Sequence, residues 1–171
     1  MIFRKAEKED FYKIRSLYWT LIDQEQDDPS FPHWKKGIHP SDEMIQDSID
    51  TRQLYVLSDD EKIAACVIAN DEKVDGYAGA PCQIDSDEVI VLHVLAVHPD
   101  HRGKGLARRL VENVIEQERK AGKKALRLDV IENNTTAEKL YKKLGFRYIQ
   151  TKTLYYDVVG EMTFKLYELV L

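Results

Sequence analysis

The chain has 171 residues, 43% hydrophobic and 32% charged, with a net charge of −5. That length suits a single domain over residues 1–171 with a substantial core, and the acidic balance gives no global support to gripping a nucleic-acid backbone. No apolar run approaches the roughly 20 residues of a membrane-spanning helix, and Cys66 and Cys82 form neither a CxxC motif nor a metal-ligand spacing.

"MIFRKA" reads as a first strand, and the N-terminus lacks the apolar core of a signal peptide. Together with the sparse cysteines this gives a cytoplasmic expectation. A helix follows in "EKEDFYKIRSLYWTLIDQEQ", with Phe11, Ile14, Leu17, Tyr18, Leu21 and Ile22 at helical spacing. "DDPSFPHWKKGIHP" is irregular and carries three prolines. Ser41 caps a second helix, "DEMIQDSIDT", whose Asp42 and Glu43 suit the helix dipole. "QLYVLSD" and "KIAACVIAN" are strands at hairpin spacing around "DDE", and Cys66 is a small core residue within the second.

"DEKVDGYAGAPCQIDSD" is a long polar loop, of the kind that is functional or mobile in compact domains. "EVIVLHVLAV" is a continuous apolar strand, expected to be buried on both faces. A helix after it places Leu106, Leu110, Val111, Val114 and Ile115 on one stripe. "KALRLDV" is a strand, "NTTAEKLYKKL" a helix capped by Gly145, and two long strands close the chain around a turn at Gly160. The order β-α-α-β-β-β-α-β-α-β-β predicts a mixed α/β domain, antiparallel at both ends with a parallel crossover in the middle.

Between strand and helix lies "HPDHRGKGLARR". A helix N-terminus presents unbonded amides and partial positive charge, and glycines let an anion approach closely. Arg102, Lys104, Arg108 and Arg109 add full charges, so the stretch reads as a phosphate cradle or, more plainly, as a tight turn with solvated basic residues. It is not a P-loop, since no Gly-x4-Gly-Lys-Ser/Thr string occurs. A dinucleotide fingerprint fails too: Arg108 stands where the third glycine belongs, and the repeated βαβ pattern is missing.

"VLAVHPDHRGKGLARRLV" resembles the acyl-CoA motif of the Gcn5-related N-acetyltransferase (GNAT) superfamily, with Arg102, Gly105 and Ala107 at its defining positions. "NTTAEKLYKKLGF" supplies Asn134, Ala137, Tyr141, Gly145 and Phe146 at the spacing of a second family signature. The likeness is close over about residues 88–146. It implies a central mixed, mostly antiparallel sheet with a splayed parallel strand pair, flanked by helices. It implies acetyl-CoA as co-substrate and no metal. The backbone of Leu95, Ala96 and Val97 would pair with the pantetheine arm. The amides of Arg102, Gly103, Lys104, Gly105, Leu106, Ala107 and Arg108 would take the pyrophosphate, and Asn134 would bond the CoA arm or simply cap its helix.

Tyr141 matches the position from which the family protonates the departing thiolate, although it also sits on an apolar helix face. The base is open among Asp129, His93 and Glu88, whose plainer readings are a strand-end residue, a core histidine and a solvated strand start. His98 and His101 flank the cradle. A lysine-type amine with a pKa about 10.4 costs roughly 4.6 kcal/mol to deprotonate at pH 7, an α-amine near 8 only about 1.4. The acidic run with Asp23, Glu25, Asp27 and Asp28 beside Phe31 and Trp34 suits a cationic amine or is an ordinary solvated surface.

The resemblance thus implies an N-acetyltransferase acting on a primary amine by direct attack in a ternary complex, without nucleic-acid or membrane partners, and often homodimeric. The rival reading is a catalytically silent acyl-CoA-binding module.

Overall fold

The computed structural model describes every residue except 60, 61, 73, 86 and 157–159. Among the described residues, seven strands and four α-helices appear in the predicted order. They are β1 (Ile2–Lys5), α1 (Phe11–Glu25), α2 (Asp42–Asp50), β2 (Leu54–Asp59), β3 (Lys62–Asn70), β4 (Val89–Val97), α3 (Leu106–Lys120), β5 (Ala125–Ile131), α4 (Thr135–Lys143), β6 (Arg147–Tyr156) and β7 (Gly160–Val170). Hydrogen-bonded neighbours run β1-β2-β3-β4-β5-β7-β6. The predicted turn residues Asp60 and Glu61, and the residues just before Gly160, lie outside those described.

The chain divides into two compact units. The first comprises residues 1–27, 34–69 and 93–114. In it β1 pairs antiparallel with β2, and β2 with β3. Ile14, Leu17, Tyr18, Leu21 and Ile22 of α1 are buried, as the helical spacing predicts, and so are Ile45 and Ile49 of α2. Ser41 caps α2 by accepting from the Met44 amide at 3.0 Å. Burial of both faces of β3, from Ile63 to Ala69, explains its unbroken apolar run.

The second unit comprises residues 28–33, 70–92 and 115–171. The first half of β4 pairs parallel with β5, with Val89 opposite Ala125, Ile90 opposite Leu126 and Val91 opposite Arg127. That ladder ends there, although β4 runs on to Val97 and β5 to Ile131. On its other side β5 pairs antiparallel with β7 throughout, and β7 pairs with β6. Leu126, Leu128 and Val130 are buried on one face of β5, and α4 covers that side: Glu138 of α4 bonds Lys165 and Tyr167, which lie opposite Val130 and Leu128. Gly145 ends α4 with a φ of +90°, as its C-cap role requires.

Two expectations change. Continuity predicted β4 buried along its whole length. Val89, Ile90, Val91 and Leu92 are buried, but His93, Val94 and Leu95 are only half-buried. The cause is Val94, whose φ of +47° breaks the pleat. The polar loop between β3 and β4 is also less loose than its composition suggests. Tyr77 is buried within it, on a cluster of Ile131, Met162, Phe164 and Leu166.

Candidate active site

In the first unit β4 ends at Val97, a short turn spans Pro99–His101, and α3 begins at Leu106. Gly103 and Gly105 hold φ values of +71° and +70°. Other residues reach this left-handed region only at a cost, so the two glycines set the path into the helix. A Cβ at either would meet nothing within 4 Å, so the space in front of the loop backbone is open. The first helical bond runs from the Arg109 amide to the Gly105 carbonyl at 3.0 Å. Among the described residues no backbone carbonyl accepts from the amides of Leu106, Ala107 or Arg108. Free amides, a helix N-terminus and an open approach are what an anion site needs.

The basic side chains are partly engaged. Arg102 pairs with Glu25. Arg108 bonds Glu112 at 2.8 Å, and the Lys104 ammonium reaches the Asp100 carbonyl at 3.3 Å. Arg109 turns away to the Met1 carbonyl at 2.9 Å. His98 accepts from the Asp100 amide, while the buried Nδ1 of His101 lacks a hydrogen-bond partner among the described residues.

Leu95, Ala96 and Val97 follow the break at Val94, and His93 precedes it. The Tyr18 hydroxyl donates to the Val94 carbonyl at 2.8 Å, fastening the break to α1. Burial raises the Tyr18 phenol well above its ordinary pKa, with the Cys66 thiol beside it. Cys66 itself is core, as expected, and burial pushes its pKa to about 12. The acidic run is already used in part: Asp23 pairs with Lys36 at 2.5 Å and Glu25 with Arg102. Trp34 packs on Tyr18, with ring centroids 5.6 Å apart.

In the second unit Asp129 stands on β5, half-buried and opposite Leu166. Desolvation lifts its carboxyl from 3.8 to about 6, offset only slightly by its own backbone amide. Tyr141 of α4 is buried against Phe146, with centroids 5.6 Å apart. Burial, and next the charge of Asp129, raise its phenol above 10. Tyr141 therefore stays protonated at neutral pH and can donate. Among the described residues its hydroxyl makes no hydrogen bond. Asn134 caps α4, accepting from the Ala137 amide at 2.9 Å, so the plainer of its two readings holds. Glu88 lies just before β4, where its carbonyl accepts from the Lys124 amide at 2.8 Å.

His93, Leu95, Ala96, Val97 and residues 102–108 thus fall in the first unit, and Asp129, Asn134 and Tyr141 in the second. Sequence reasoning missed Tyr18, read only as stripe, and Tyr77. An aromatic flanked by glycines in a polar loop is the signal that could have found the latter.

The sequence model described as "Acetyltransferase (GNAT) family" matches residues 8–146. The chain belongs to the GNAT family. Among curated GNAT relatives, the L-amino acid N-acyltransferase MnaT of Escherichia coli strain K12 is 37% identical over 75 residues, 43% of this chain and 44% of that protein. The ribosomal protein bS18-alanine N-acetyltransferase of Haemophilus ducreyi is 38% identical over 81 residues, 47% of this chain and 55% of that one. The match spans about half the length of these relatives. A GNAT acetyltransferase of Streptococcus agalactiae shares the fold with a TM-score of 0.81 at 22% identity, covering 99% of this chain and 95% of that one. A Salmonella typhimurium acetyltransferase solved with acetyl-CoA has a TM-score of 0.73 at 21% identity, covering 100% and 94%. The mixed, mostly antiparallel seven-stranded architecture with one parallel pair is therefore that of the GNAT fold.

Proposed function

We propose that the chain is an acetyl-CoA-dependent N-acetyltransferase acting on a primary amine by direct attack. The amine nitrogen attacks the thioester carbonyl carbon, the C–S bond breaks, the amine's proton passes to Asp129, and Tyr141 protonates the departing thiolate. The amides of residues 102–108 bind the pyrophosphate and the backbone of Leu95, Ala96 and Val97 the pantetheine. Asn134, already a helix cap, also bonds the CoA arm through its remaining amide hydrogens. His93 and Glu88 rank behind Asp129 as base. No metal takes part.

The observation that carries this reading is a desolvated carboxyl, Asp129, close enough to the buried Tyr141 phenol for its charge to help keep that phenol protonated. A general base works best with a pKa close to the operating pH, and two titratable groups driven apart by their surroundings divide naturally into base and acid. A silent CoA-binding module needs neither. The amines' own pKa values favour α-amine acceptors, whatever the base. Proton transfer to a carboxyl near 6 is uphill by about 2.7 kcal/mol from an α-amine near 8, and by about 6 from a lysine-type amine. The names of the relatives, an L-amino acid N-acyltransferase and an alanine N-acetyltransferase, agree with an α-amine.

A cytoplasmic setting suits the two free cysteines. A homodimer through the C-terminal strands suits β6, an outer strand that exposes Tyr148 and Tyr155. Thiol release from acetyl-CoA against a panel of amines tests the reading. Turnover with amino acids or peptide N-termini ahead of ε-amines is expected. CoA binding without turnover on any amine would leave the silent module.

A further inference from the structure

Alternation along β5 puts Arg127, Asp129 and Ile131 on one face, and their partners on β7 (Glu168, Leu166 and Phe164) share it. That face is covered by the β3–β4 loop, residues 74–84. Tyr77 packs on Ile131, Leu166 and Phe164, with Val74, Ala80 and Cys82 around it. The guanidinium of Arg127 sits 5.1 Å from the centre of the Tyr77 ring. Tyr77 thus shares a cluster with Ile131 and Leu166 and lies against Arg127, the residues beside and opposite Asp129 on this face.

The loop is fastened there by backbone bonds. The Tyr77 hydroxyl lies 2.5 Å from the Leu128 carbonyl and 2.9 Å from the Tyr167 carbonyl, and it accepts from the Tyr167 amide at 3.3 Å. Arg127 donates to the Ile84 carbonyl and, at 3.0 Å, to Glu168. Glu168 in turn accepts from the Gln83 amide at 2.7 Å. The loop is thus held at Tyr77 and again at residues 83–84, with Asp129 alongside.

We infer that this Tyr77-anchored loop is the wall that keeps water from Asp129, which makes Tyr77 a positioning residue for acetyl transfer. Other titratable groups about this position are Arg127 on the same strand, Glu168 on β7, Tyr77 and Cys82 from the loop and Tyr141 from α4. None of them shifts the Asp129 carboxyl as desolvation does. The proposal rests on Asp129 as the base, and its test separates the two.

The test follows the Asp129 carboxyl by carbon NMR titration of the free protein, alongside the pH dependence of kcat/KM, in the parent, Y77F and Y77A. Y77F keeps the ring and should keep most of the dry wall. Y77A should move the carboxyl down by about one unit or more toward its ordinary value. The acidic limb of kcat/KM should follow, with acetyl-CoA affinity unchanged. If Y77A does not fold, Y77L carries the same expectation, since it lacks both ring and hydroxyl but fills space. A folded Y77A or Y77L with an unmoved carboxyl overturns the wall. A carboxyl that moves while the limb stays confirms the wall and removes Asp129 as base.

Discussion

The Tyr18 hydroxyl holds the carbonyl of Val94, 2.8 Å away, at a residue whose φ of +47° is strained for a β-branched side chain. The strain persists because the surroundings over-determine it. Y18F leaves that carbonyl without its donor and should cost about 1–3 kcal/mol in chemical denaturation. It should also weaken acetyl-CoA binding, because Leu95, Ala96 and Val97 lose their fixed direction. Unchanged stability and affinity would make the bond incidental.

Asp129 should trade stability for reactivity. Its folded pKa of about 6 lies above the ordinary 3.8. Below about pH 4 it is protonated folded and unfolded, and there is no penalty. As pH rises through 6 the folded protein must ionise a desolvated group and loses up to about 3 kcal/mol, at 1.36 per pKa unit. D129N should match the parent at pH 4, exceed its stability at pH 8, and lose the acidic limb of kcat/KM. Denaturation at both pH values checks the sign.

Y141F should lower kcat by at most 10²–10⁴-fold, the usual range for proton transfer, and leave acetyl-CoA affinity unchanged. Because burial raises the phenol above 10, no alkaline limb from Tyr141 should appear below pH 10, and the loss should be uniform with pH. Full activity would reduce Tyr141 to packing.

Gly105 at φ +70° faces open space. G105V should fold with a backbone penalty of about 1–2 kcal/mol and lose the thermal stabilisation that acetyl-CoA gives. In the parent that is about 2.7 kcal/mol at 100 times the dissociation constant. Retained affinity in calorimetry would move the phosphate site elsewhere.

Arg102 is held by Glu25. An exposed pair is worth at most about 1 kcal/mol. E25Q should therefore release Arg102 to the phosphates and raise acetyl-CoA affinity by up to about fivefold at low salt, less at high salt. Calorimetry at two ionic strengths reads it.

Most of the fold was legible because its signals are local. The α1 stripe from Ile14 to Ile22, the Ser41 cap and the Gly105 turn each depend on residues a few positions apart. The β4 break was not legible, since "VLHVLAV" gives Val94 no mark of a positive φ. What bonds it is tertiary: a hydroxyl 76 residues earlier in the chain. The surroundings of Asp129 were hidden for the same reason. Its desolvation comes from partners on β7 and from Tyr77 in a loop that polar composition presents as open.

The loop's own thiol offers a gauge of how closely the loop packs. Cys66 is buried with a pKa pushed to about 12 and stays silent to alkylating reagents. Cys82 rests against the Tyr77 cluster, and burial raises its pKa too. A chromogenic disulfide reagent should thus modify Cys82 alone in the native protein, more slowly than in a denatured chain because the Tyr77 cluster shields it in part. The ratio of the two rates measures how far the loop shields its own thiol, readable on an unlabelled protein with a spectrophotometer.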